Sequence, residues 1–447
     1  MNESNKTNLK KITKNAGMTF INKLIFIILG MVSSVFLARL LGPEKRGVYA
    51  MVVMLPSTLS LIFAIGIPSS NVYHVAKKKK IKEIIKFNNL LGSILIFIGI
   101  MFGVLIVLYF SKVLFPGIPK KLLLFGLLSY PLFLINSFML SLFLGLQEIS
   151  IYNRINLYQK IFSTVLIVVA SYFWGIMGAI ASLNLTSLFL FVQCKARLRR
   201  LNVNIENSKD LDKKEFIKYG LKSYFSDIVA FLNYKVDIFF INFFLNPAST
   251  GIYVVAVSLA EKIWIVTSSV SLVTYPKLAE ISDDEIEHTN LTILTAKWVF
   301  YLTLIIVLFL GFTSKYIINI LYGVDYSQVT LPFILLLPGI CLGSMSKIIS
   351  NSFASLGKPE INLYMGILVL LLNVSLNIIL IPKYGLIGGA IATSFSYSTV
   401  TVSKLYILHK LQHINTLKVF IFNKTDLILI KKLVNSLMLK LGIRREI

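Results

Sequence analysis

Long apolar runs alternate with short polar connections along the chain, and twelve of the runs reach the roughly 20 residues that a membrane-crossing helix needs. They cover residues 19–41, 47–71, 88–110, 121–145, 155–173, 176–195, 217–245, 251–276, 291–312, 328–356, 360–381 and 385–409. The tenth holds Pro332 and Pro338 and is expected to kink, because proline lacks the amide of the helix ladder. The first run is longer than the apolar part of a signal peptide and has no small-residue cleavage pattern behind it, so it reads as a retained helix.

The pattern also repeats. Pro43, Gly47 and Tyr49 recur as Pro247, Gly251 and Tyr253 at one constant offset of 204. The string INLY occurs at 155–158 and at 361–364, and WGIMGAIAS at 174–182 answers YGLIGGAIATS at 384–394. Three matches in one order, on either side of a polar basic connection at 196–216, point to two parallel halves. The expected architecture is an all-α integral membrane protein with twelve transmembrane helices in two six-helix lobes, 1–205 and 206–411. A tail at 412–447 follows, whose apolar and basic residues over 414–443 suggest a surface amphipathic helix. Pro and Gly in the repeated turn stop one helix and free the next, and the glycine-rich repeat is read as a site of close helix packing.

Composition agrees with a membrane protein. Hydrophobic residues make up 56% of the 447, charged residues only 15%, and the mean hydropathy is +0.78. A soluble domain would show about 45–50% and about 25%, which excludes a soluble enzyme and a disordered basic tail. The net charge of +25, from 45 Lys+Arg against 20 Asp+Glu, does not indicate nucleic acid, because the basic residues fall in the connections. Lys6, Lys10, Lys11, Lys14, Lys77 to Lys80, Arg197, Arg199, Arg200 and the tail would then lie in the cytoplasm beside anionic membrane lipids. Both termini are expected there. Cys194 and Cys341 read as small apolar residues. His409 and His413 lack a neighbouring Glu, so neither a metal site, a catalytic group nor a cofactor is expected.

Candidate chemistry lies in the charges inside the runs, which cost about 2.5–3.5 kcal/mol each on insertion scales and so need a cavity or a partner. The seventh run carries Asp227, Asn233, Lys235 and Asp237, and the eighth Glu261 and Lys262. Counted from the turn between them, Lys235 and Glu261 share one depth near the midplane. Lys235 could pair with Glu261, or Asp237 with Lys262. Structural ion pairs are one reading. The other is a cavity in which lysines attract a diphosphate while Asp237, Glu261 or Asp227 binds H+ or Na+. Lys347 is a second deep cation, whereas Lys23 and Arg39 lie near the two ends of the first run. The first-half counterparts of Lys235, Asp237 and Glu261 are Met31, Ser33 and Ser57, so the deep charge belongs to the second half.

The turn RLLGPEKRGVYA at 39–50, the connection LFLGLQEISIYNR at 142–154 and YGLIGGAIATSFS at 384–396 resemble the polysaccharide-type oligosaccharide flippases of the multidrug/oligosaccharidyl-lipid/polysaccharide exporter superfamily. The resemblance covers about residues 12–411. It implies a MATE-like fold and translocation of undecaprenyl-diphosphate-linked oligosaccharide from the inner to the outer leaflet of a bacterial cell membrane. It also implies alternating access, an ion gradient as driving force, and a glycan polymerase as partner. A drug or cation antiporter of the same superfamily is the alternative. A membrane glycan polymerase or ligase, or a scaffold of the glycan assembly machinery, is the alternative from another class. The short connections on the outer side argue against an enzyme.

Overall fold

Glycines and prolines divide the apolar chain into helices. The computed structural model describes residues 3–77, 80–200, 210–412 and 416–421, and these form helices with no strand among them. The predicted tail helix at 414–443 and His413 lie outside the described residues, apart from a short helical turn at Thr416–Phe420. In order come α1 (Glu3–Ala64), α2 (Ile67–Ala76), α3 (Ile81–Leu105), α4 (Ser111–Leu114), α5 (Lys120–Leu127), α6 (Tyr130–Gly145) and α7 (Ile149–Arg200). The second half holds α8 (Lys213–Phe244), α9 (Pro247–Glu261), α10 (Ile265–Glu280), α11 (Glu285–Tyr322), α12 (Thr330–Ser355), α13 (Glu360–Tyr384) and α14 (Leu386–Gln412).

Eight described segments are long and apolar enough to cross a membrane. The difference from twelve has a physical origin. Two of the eight are 44 and 52 residues long, at Ile21–Ala64 and Ile149–Arg200, and each bends at a glycine. A straight 52-residue helix would measure about 78 Å, against a hydrocarbon layer of about 30 Å. The bends sit at Gly42 (φ 70°) and Gly175 (φ 53°, ψ −134°). α8 and α14 have membrane length but are polar along their course, with Asp227, Lys235 and Asp237 in one and a series of Ser and Thr in the other. α12 runs through Pro338 as one helix, and the amide of the next residue, Gly339, donates to Ser394 Oγ at 2.9 Å.

The repeat is visible in the backbone. Gly385, the counterpart of Gly175, has φ 59° and ψ −134°, a conformation open in practice only to glycine. The glycine-rich motif is therefore first a bend and only then a packing surface. A methyl at Gly175 would meet nothing within 4 Å, whereas one at Gly178 or Gly388 would strike the carbonyl of Ala170 or Leu380 across the bend.

Close backbone contacts join the two halves at both ends of the bundle. At one end of the bundle Gly47 and Gly251 interlock: a methyl on the first would lie 1.7 Å from Pro247 O, and one on the second 2.0 Å from Pro43 O. Asn246 caps α9 there by accepting from the Ser249 amide, and Pro247 follows in the first turn, where its missing amide costs nothing. At the other end α2 and α8 meet. Gly66 faces Gly220, Ser70 Oγ donates to Phe216 O at 2.5 Å, and Tyr224 Oη donates to Ile62 O at 2.6 Å. The complementary seam, between α1 and α10, instead holds a cavity of about 550 Å³ lined by Lys23, Ser271, Tyr275, Lys347 and Asn351. Large apolar side chains such as Ile305, Phe309 and Phe312 of α11 stand on the exterior, as a surface solvated by lipid requires.

Candidate substrate and ion site

Asp237 is buried in the second half, and every oxygen it offers is used. Oδ1 accepts from the amide of Ile238 at 2.8 Å; Oδ2 accepts from Tyr253 Oη at 3.2 Å and from Thr393 Oγ1 at 3.3 Å. Asn373 Nδ2 donates to Thr393 Oγ1 at 3.2 Å, and Asn377 Nδ2 donates to Asn373 Oδ1 at 2.8 Å. Four helices, α8, α9, α13 and α14, thus meet at one carboxylate. Asn377 Oδ1 is buried without a hydrogen-bond partner. A buried acceptor left open in this way carries a desolvation cost of about 1–3 kcal/mol, so it has the capacity to accept one more hydrogen bond.

The expected pairs Lys235–Glu261 and Asp237–Lys262 do not form. Lys235, Glu261 and Lys262 have no ion-pair partner among the described residues. The reason is helical periodicity: residues two apart, such as Lys235 and Asp237, point about 200° apart and cannot both face α9. Asp237 turns into the helix contact, and Glu261 is left within electrostatic reach of Asp237, Lys235, Lys347 and Lys262.

Lys262 meets a different neighbour. A methyl at Gly30 of α1 would lie 3.8 Å from the Lys262 ammonium nitrogen and 3.8 Å from that of Lys160 on α7. Two cations from opposite halves of the chain therefore converge over one glycine, and neither has a carboxylate partner among the described residues. Lys347 lies with its ammonium 3.4 Å from the centre of the Trp264 ring, a cation–π contact. It borders a cavity of about 510 Å³ shared with Asn233, Tyr397 and Lys404. Lys404 is buried and donates to Ser350 Oγ at 2.6 Å.

The remaining predicted residues scatter. Asn233 donates to Gly366 O at 3.1 Å and ties α8 to α13. Asp227 is exposed. Lys23 borders the α1–α10 cavity together with Lys347. Arg39 caps α11: Nε donates to Leu321 O at 2.8 Å and Nη2 to Ile320 O. Beside it Arg46 is buried among Tyr49, Tyr322 and Tyr326, and its Nε has no acceptor. Cys194 and Cys341 are buried in apolar clusters. Lys160, Lys404, Thr393 and the two asparagines were absent from the sequence-based set. Lys160 lay inside the fifth predicted run and met the deep-charge criterion; Thr393 lay in a motif read only as packing.

A comparison with known proteins bears on this arrangement. The sequence profile of the family described as "Polysaccharide biosynthesis protein" matches residues 36–331. The chain belongs to that family. Among relatives, a candidate O-antigen transporter of Shigella flexneri is 23% identical over 405 residues, 86% of this chain and 94% of that protein. A candidate low-salt glycan biosynthesis flippase of Haloferax volcanii is 23% identical over 207 residues, 46% of this chain and 44% of the relative. The match thus spans less than half of the Haloferax protein. Among solved structures, the lipid II flippase MurJ in an inward closed conformation superposes with a TM-score of 0.73 at 20% identity, covering 87% of this chain and 86% of that one. An inward-facing multidrug resistance MATE family transporter gives 0.69 at 12% identity, covering 87% and 94%. The fold is MATE-like, and the protein is a multi-pass membrane protein of the polysaccharide biosynthesis family.

Proposed function

We propose that this protein flips a lipid-linked oligosaccharide across the membrane by alternating access, holding the diphosphate of the carrier between Lys160 and Lys262. The observation that carries the reading is the convergence over Gly30 of those two ammonium groups from opposite halves of the chain, neither with a carboxylate partner among the described residues. A diphosphate offers oxygens to both cations, and two mobile point charges release it more readily than a rigid bidentate fork would. The same pair repels a cationic drug, which argues against the antiporter alternative. Relatives named for glycan flipping and O-antigen transport support the substrate class.

In this reading Asp237, with oxygens of Thr393, Asn373 and Asn377, holds the coupling H+ or Na+, since carboxylate and amide oxygens suit a hard cation. Glu261 then responds electrostatically between that ion and the lysines. The N-terminus and the basic connections lie in the cytoplasm, the cell membrane is a bacterial inner membrane, and a glycan polymerase receives the flipped unit. The test is translocation of a fluorescent undecaprenyl-diphosphate oligosaccharide in proteoliposomes. Lys160→Ala and Lys262→Ala should each slow it at least tenfold with unchanged thermal stability, and Asp237→Asn should abolish its dependence on the ion gradient. Wild-type flipping by the double lysine variant would overturn the reading.

A further inference from the structure

The cavity beside Lys262 has the opposite character to the lysine pair. It measures about 230 Å³ and lies between the α9–α10 segment and α11, with Leu259, Ile263 and Val266 on one wall, Ile306 and Leu310 on the other, and Phe333 behind. Of its polar lining groups, Ser314 Oγ is already bonded to Gly311 O at 3.0 Å, which leaves the Lys262 ammonium as the charged group at its wall. Met31 closes the near side, and its neighbour Gly30 is the residue over which Lys160 and Lys262 converge. A cationic site and an apolar slot therefore share one wall. At the same height on the outer face of α11, Ile305, Phe309 and Phe312 are exposed.

We infer that this slot seats the first isoprenyl units of a prenyl diphosphate whose head group lies on Lys160 and Lys262, an assignment that rests on the flippase reading above. The chemistry selects the ligand. In a prenyl diphosphate a branched hydrocarbon begins at the phosphate oxygen, so charge gives way to apolar surface within one bond. The protein makes the same change between Lys262 and Ile263. A phospholipid places glycerol esters between phosphate and chain, and their carbonyls would find no donor in the slot beyond Lys262 itself. A nucleotide sugar or a free oligosaccharide would leave the apolar walls unfilled. The remainder of a long prenyl chain continues over the outer face of α11 into lipid.

The test uses the full chain in phosphatidylcholine nanodiscs, with geranylgeranyl diphosphate and inorganic pyrophosphate as paired probes. Leu310→Trp, which fills the slot, should weaken geranylgeranyl diphosphate binding at least tenfold and leave pyrophosphate binding within twofold. Lys262→Ala should weaken both. A second measurement is independent of any packing defect in the tryptophan variant: Leu310→Cys should be shielded from maleimide by geranylgeranyl diphosphate and not by pyrophosphate. Equal shielding by phosphatidic acid, or unchanged geranylgeranyl diphosphate binding in Leu310→Trp, would overturn the slot assignment while the lysine site stands. If Lys262→Ala leaves pyrophosphate binding unaltered, the head-group reading fails, and the slot assignment falls with it.

Discussion

Gly47 and Gly251 each occupy the space that a side chain on the other half would need. A methyl on Gly47 meets the carbonyl of Pro247, and one on Gly251 meets that of Pro43. Because the two residues are repeat counterparts, the contact has approximate two-fold character. Gly47→Ala and Gly251→Ala should each cost about 1–3 kcal/mol by overpacking, seen as a lower melting temperature of the purified protein. Gly311→Ala is the control, since its methyl would sit at an ordinary 3.8 Å from Leu337. Equal melting of all three variants would show that the seam does not hold the halves together.

The bends at Gly175 and Gly385 make a second pair. Both have positive φ with ψ near −134°. A side chain in that conformation costs on the order of 1–3 kcal/mol, so Gly175→Ala and Gly385→Ala should lower the melting temperature by similar amounts. A drop at one site alone would mean that the two bends are not mechanically alike.

At the Gly47 end of the bundle, the Arg39 guanidinium binds the last carbonyls of α11, and Tyr326 Oη donates to Ala38 O at 3.2 Å. Positive charge is favourable at a helix C-terminus by about 0.3–1 kcal/mol at an exposed site. Arg39→Gln should therefore shift the balance between closed and open arrangements of this end up to fivefold. Spin labels at Lys45 and Val324, both exposed, would report it as a larger long-distance population. An unaltered distance distribution would remove Arg39 from the closure.

The exposed contact of Lys80 with Asp210 and Glu83 should matter little. Its hydrogen bond to Asp210 raises the Lys80 ammonium pKa above its ordinary value. Any stability it supplies is thus complete below the unfolded value, near 10.4, and is lost only as pH climbs through the higher folded value. Melting of wild type and Asp210→Asn should coincide across pH 6 to 9, because exposed pairs contribute little. A gap that widens over that range would contradict this.

The membrane class, the repeat and some of the charges inside the runs were legible in the sequence, because apolar runs and charge are local properties of a chain. The pairing of those charges was not. It depends on which face of α8 turns inward, and that is set by its contacts with α9, α13 and α14. Depth alone placed Lys235 opposite Glu261, while the helix rotation sent Asp237 to Tyr253 and Thr393. Lys160 escaped notice for a related reason: it becomes informative only when α7 brings it beside Lys262 at Gly30.

The matched bends at Gly175 and Gly385 have one more consequence. A duplicated chain can keep the same joints in both copies while its chemistry drifts apart. Here the joints stay alike, yet the carboxylate at Asp237 has only Ser33 as its counterpart. The two halves therefore share one bend geometry, while the buried carboxylate belongs to only one of them.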